Sequence, residues 1–142
     1  MLRKSIGLVS VLGVLVLAGV AVSQEARMKP VGDVTEIMQA MTIPASNALF
    51  NVPRQAPSTD EEWAAIRNHA ILLGESGNLL MFGSRSKKDE VWMSSARLMV
   101  DAGDAALKAA KAKDAEAIGE IGNQIIESCE TCHEAHWDRS AD

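Results

Sequence analysis

Tyrosine is missing altogether from this 142-residue chain, and two phenylalanines with three tryptophans are its only aromatic side chains. No stretch alternates apolar and polar residues with the period of a strand, and no segment repeats, so sheet architectures and solenoids are excluded. Alanine, leucine, isoleucine and methionine are plentiful, which is the composition of helices. Cysteine occurs only twice and no catalytic acid, base or nucleophile constellation stands out, so the chain does not read as an enzyme. At this length it holds a single compact domain.

Long apolar runs are also scarce, with one exception at the N-terminus. Arg3 and Lys4 precede an apolar stretch from Ile6 to Val22, and Ala21 and Ser23 are the small residues expected before a cleavage site. Residues 1–23 therefore read as a secretory signal peptide and residues 24–142 as the mature domain. The alternative is an uncleaved anchor, because the run approaches the roughly 20 residues of a membrane-spanning helix. No cysteine follows the cut directly, so a lipid anchor is not indicated. Removing Arg3 and Lys4 leaves 12 basic residues against 19 acidic ones. That excess of negative charge disfavours nucleic acid and favours a basic redox protein as partner.

Helix signals follow in order. Val34, Ile37, Met38 and Met41 share one face of a helix beginning near Val31 or Asp33. Pro44 should kink or end it, with Ala45 to Phe50 as a displaced continuation, and Asn51 to Ser58 is a connection carrying Pro53 and Pro57. Thr59 and Glu62 form a capping box for a helix to about Met81, with Trp63, Ile66, Ala70, Leu73, Gly77 and Leu80 as its stripe. Gly83 to Asp89 closes it. A third helix from about Asp89 to Ala112 carries a stripe of mostly small residues, Trp92, Ala96, Met99, Gly103, Ala106 and Ala110. Asp114 caps a fourth, on which Ile118, Ile121, Ile125, Cys129 and Cys132 share a face. Gly77, Gly119 and Gly122 lie inside helices, either for close helix packing or to let a flat ligand approach the backbone. The expectation is an all-α, antiparallel four-helix bundle.

Both cysteines fall in Cys129-Glu130-Thr131-Cys132-His133, and C-x-x-C-H reads as a covalent haem attachment site. Two thiols add across the haem vinyl groups, and the adjacent histidine ligates the iron. On a helix the three side chains project to nearly one side. Two other chemistries use the same residue types. Zinc at Cys129, Cys132, His133 and His136 would need four ligands to converge from one continuous helix, and a thioredoxin-like pair belongs at a helix N-terminus after a strand. A disulfide would compete for the same two thiols in an exported protein.

A haem-attachment motif in the last helix of an exported chain of this size, with Ile37-Met38-Gln39-Ala40-Met41 in the first, resembles the class II c-type cytochromes, the cytochrome c prime family. The resemblance implies a four-helix bundle with one covalent haem c between the first and last helices. It implies an iron held by His133, with Met38 at the matching position on the first helix as second axial ligand and Met41 as its rival. Met81 and Met28 are further alternatives; Met93 and Met99 read as packing. A methionine ligand implies a periplasmic electron carrier, because a filled coordination sphere favours outer-sphere electron transfer. The alternative is a five-coordinate haem protein binding a diatomic gas such as NO or CO, with Met38 only packed over the iron. Gas-binding members tend to carry a basic residue where Trp137 stands and an arginine where Val34 stands, which leaves Arg27, Lys29 or Arg67 for the haem propionates. The resemblance also leaves a homodimer through the first two helices open. His69 reads as a surface residue and His136 as a residue at the haem edge.

Overall fold

The computed structural model describes residues 29–137. The expected signal peptide, Arg27, Met28 and Arg139 lie outside the described residues. Among the described residues no helix is long and apolar enough to cross a membrane. The elements, all helical, are α1 (Val34–Ile37), a π-helical segment (Met38–Thr42), α2 (Ile43–Asn51), α3 (Asp60–Leu80), a short 3-10 turn (Gly83–Arg85), α4 (Glu90–Ala112) and α5 (Ala115–His136).

The starts of α1, α3, α4 and α5 are each set by a carboxylate or hydroxyl that accepts an otherwise unpaired amide. Asp33 accepts from the Glu36 N–H at 2.8 Å while Glu36 accepts from the Asp33 N–H, a reciprocal box that fixes where α1 begins. Thr59 and Glu62 form the same box on α3, and Asp89 and Asp114 cap α4 and α5 by accepting from Trp92 and Ala117. Lys113 breaks α4 from α5 by entering the left-handed region at φ 57°.

Pro44 neither ends the first helix nor displaces its continuation. A proline in a regular α-helix clashes with the carbonyl four residues back, here Ala40, and donates nothing to it. The turn before it is widened instead, so that the Ile43 N–H reaches five residues back to the Met38 carbonyl. α1, the π segment and α2 thus run on as one helical rod from 34 to 51.

Four packed rods result, and their neighbours run antiparallel. Trp92 at the start of α4 donates its indole N–H to the Leu80 carbonyl at the end of α3, at 2.8 Å. Lys113 after α4 pairs with Asp60 at the start of α3, and His136 at the end of α5 lies 3.2 Å from Asp89 at the start of α4. Near the start of α5, Gly119 faces Pro53 just beyond α2, where an added Cβ would sit 3.0 Å from the ring. The core is the expected stripes: Trp63, Leu73 and Leu80 of α3, Trp92, Ala96, Met99 and Ala106 of α4, and Ile118 and Ile125 of α5 are all buried.

Of the in-helix glycines, Gly77 is required by close helix packing, whereas a Cβ on Gly122 would make only an ordinary contact. A Cβ on Gly77 would come 2.7 Å from the Ala96 carbonyl oxygen, and Gly122 lies against Phe50. Gly103, read only as part of a small-residue stripe, is the tightest contact: a Cβ there would meet the Gly74 backbone nitrogen at 2.5 Å. His69, expected at the surface, is half-buried, with Nδ1 enclosed and unpaired, because α3 turns more of its polar side inward than its charged neighbours imply.

Candidate functional site

The C-x-x-C-H segment occupies the last two turns of α5. Cys132 is buried, Cys129 and His133 are half-buried, and both cysteines are free thiols. Burial pushes both thiols up from their ordinary value, with the Glu130 carboxylate adding to the effect at Cys129 and Cys129 and Asp89 adding at Cys132. In the folded chain they are therefore held protonated near neutral pH, weak nucleophiles in an apolar setting.

Two neighbouring spaces meet these side chains. One is a closed void of about 10 Å³, roughly the room for a single water, between Met38, Leu80, Trp92, Ser95, Met99, Cys129, Cys132 and His133. The other is an open cleft of about 500 Å³, lined by Val34, Met38, Gln39, Ile43, Lys87, Trp92, Cys132, His133, His136 and Trp137. Met38, Trp92, Cys132 and His133 line both. The fold thus brings the first rod's methionine to the same space as the two thiols and the imidazole of the last.

The remaining methionines are sorted by the same geometry. Met41 is half-buried against the core but lines neither space, and Met81 lines neither. Met99 does reach the void, its sulfur 3.4 Å from the Ser76 hydroxyl, which donates to the Leu73 carbonyl at 2.7 Å. Met93 accepts from Ser86 at 3.5 Å.

Several residues of this site went unnoticed in the sequence. Trp92 forms the floor between void and cleft, pinned by its bond to Leu80. Its ring meets the His136 ring edge-on at 5.4 Å, and Trp137 meets His133 at 5.1 Å. Asp89 is held below the usual carboxylate range by the Trp92 N–H it accepts, with His136 contributing. His136 Nε2 stands within ion-pair distance of that carboxylate but outside hydrogen-bond alignment. Ser95, 4% exposed, gives its carbonyl to the Ser128 hydroxyl at 2.9 Å while its own hydroxyl has no partner. A recurrent tryptophan-to-carboxylate spacing was the one available signal: Asp89 and Trp92 are three apart, as a cap requires.

Of the basic residues expected near propionates, the two that are described, Arg67 and Lys29, lie away from the cleft. Arg67 does not line the cleft, and Lys29 lines a separate groove with Pro30, Phe82 and Arg85. Arg85 is itself buried, its Nε donating to the Gly32 carbonyl at 2.9 Å, and so ties the lead-in before α1 to the turn after α3. The cation at the cleft is Lys87. A wider dish lined by Asn47, Phe50, Asn51, Arg54 and Ile126 contains none of the thiol, imidazole or thioether groups.

The donor set fits a c-type haem. Two thiols three residues apart and an imidazole one residue on share a small apolar void with a thioether from another helix, and Cys132, His133 and Met38 also line the mainly apolar cleft; soft sulfur with imidazole is a donor set suited to haem iron. Among the described residues no three His, Cys, Asp or Glu side chains gather as a group able to hold a bare metal ion. Set against protein-family models, curated proteins and solved structures, the chain has no match, so the site is read from its own residues.

Proposed function

We propose that this chain is an exported, monohaem c-type cytochrome of the four-helix class II kind, an electron carrier whose iron is held by His133 and Met38. One observation carries the reading: Met38 lines the same enclosed space as Cys129, Cys132 and His133, from a helix remote in sequence. When bound, the haem supplies reversible one-electron exchange at its iron.

The chain's own groups do the rest. Cys129 and Cys132 would hold the haem covalently, each S–H adding across one vinyl group with its hydrogen going to the other vinyl carbon, so that no atom would be lost and no oxidant needed. His133 offers an imidazole from the same face of α5. Met38 offers a thioether, which favours the reduced iron and closes the site to small molecules. Trp92, Leu80 and Met99 exclude water from the inner wall. A mainly apolar cleft changes little on charge transfer, as an electron carrier requires. The net negative chain suits a basic redox partner.

The test is a mass and a titration. Mature protein expressed with haem-maturation machinery should gain the full mass of one haem, retained under denaturation, and Cys129→Ala with Cys132→Ala should abolish it. The reduced protein should resist carbon monoxide. An unmodified mass sinks the haem reading; rapid and complete carbon monoxide binding leaves the haem but replaces the carrier by the gas-binding alternative.

A further inference from the structure

The cleft is mostly apolar, and Lys87 is the one lysine or arginine among the described residues that line it. Its place is built by the loop rather than left to chance. Ser86 donates its hydroxyl to Met93 Sδ at 3.5 Å and accepts the Lys88 N–H at 3.1 Å, Lys88 takes a left-handed conformation at φ 61°, and Asp89 caps α4. These contacts bracket the Lys87 backbone, and its ammonium lies 5.9 Å from the centre of the Trp92 ring. Lys87 also acts at the attachment site: burial, Cys129 and Asp89 push the Cys132 thiol up, and Lys87 works against them.

Among the described residues, three other cations are held by partners away from the cleft. Arg85 is buried on the Gly32 carbonyl, Lys108 pairs with Asp104 at 2.6 Å, and Lys113 pairs with Asp60. Across the cleft, Val34, Thr35, Gln39 and Ile43 carry no charge. From α5 the titratable groups that face Lys87 are Cys132, His133 and His136, and Asp89 stands beside His136 at the start of α4.

A haem brings two carboxylates to whatever cleft receives it, and an apolar wall offers them nothing. We propose that Lys87 is the propionate-binding residue of this cleft and that its charge raises the reduction potential of the bound iron, an inference that rests on the haem reading above. Lys87 is a positioning residue, acting on the iron through the carboxylate and the field rather than by ligation. A cation paired to a propionate stabilises the ionised acid and disfavours the oxidised, more positive iron.

The experiment compares mature holoprotein carrying Lys87→Met, Lys87→Arg and Lys88→Met, with covalent haem verified by mass. The midpoint potential is followed from mildly acidic to mildly alkaline pH. Lys87→Met should lower the potential and move the propionate-linked break in its pH profile upward, Lys87→Arg should restore both, and Lys88→Met, an equal loss of charge one residue away, should leave the break in place. Equal effects of Lys87→Met and Lys88→Met, or an unmoved break in Lys87→Met, overturn the assignment of Lys87 while the haem reading stands. A wild-type chain without covalent haem overturns both.

Discussion

Met38 sits at the first position of the widened turn, and the carbonyl it contributes is the one reached by the Ile43 N–H across five residues. A π turn before Pro44 rotates the preceding side chains relative to a regular helix, and such turns recur at functional sites. It is Met38 and not Met41 that lines the enclosed space. Met38→Leu keeps the volume at a cost under about 1.5 kcal/mol but removes the sulfur. The expected outcome is a near-unchanged melting temperature with a shift from low-spin to high-spin absorption, a lower potential and newly admitted carbon monoxide, read by visible spectroscopy. An unchanged spectrum assigns the iron's second ligand elsewhere. The Cys129–His133 motif was legible at this scale because five consecutive positions carry the whole signal. Lys87, Ser95 and Trp92 were not, because they join the site only through the loop after α3 and the facing side of α4.

At the scale of elements, the α3–α4 contact is the closest in the molecule. Gly103 has Gly74 backbone nitrogen and Cα where its own Cβ would be, at 2.5 and 2.6 Å, with the Ala70 carbonyl oxygen at 2.9 Å. Backbone cannot swing aside as a side chain can. Gly103→Ala should therefore separate the two helices and cost about 1–3 kcal/mol despite the roughly 1 kcal/mol that alanine gains in helix propensity. Gly122→Ala is the matched control. Its Cβ would lie 3.7 Å from Phe50, an ordinary contact, so it should be neutral or stabilise by up to about 1 kcal/mol. Urea titration of both variants measures the pair, and equal effects would refute the packing argument. Helix existence and faces were readable here because caps and stripes are local patterns. The path through Pro44 was not, because the cost of a proline can be met by ending a helix or by widening its previous turn, and packing against α3 and α5 selects the second.

For the whole molecule, acid is the expected weak side. Asp60 is held low by Lys113, Glu62 by the Ser58 and Thr59 donors, and Asp89 by the Trp92 N–H. Each folded value lies below its unfolded one, so the stability these groups contribute is present above the unfolded values, about 4, and is lost as pH falls through the folded ones. The urea midpoint should hold steady near neutral pH and decline below about pH 4.5. Glu62→Gln should flatten part of that decline; an identical acid limb in the variant would refute the assignment. All three groups tie helix starts in place, so their protonation loosens the frame around the cleft rather than one contact.

Helix composition, the Thr59–Glu62 and Asp114 caps and the placing of C-x-x-C-H on the last helix were determined by the sequence alone, because each depends on residues within four positions of one another. The tertiary structure alone decided which methionine shares a space with His133, which lysine stands at the cleft and which glycines are indispensable. Those outcomes depend on how four rods are rotated and joined, and rotation is settled by long-range packing that no local spacing encodes.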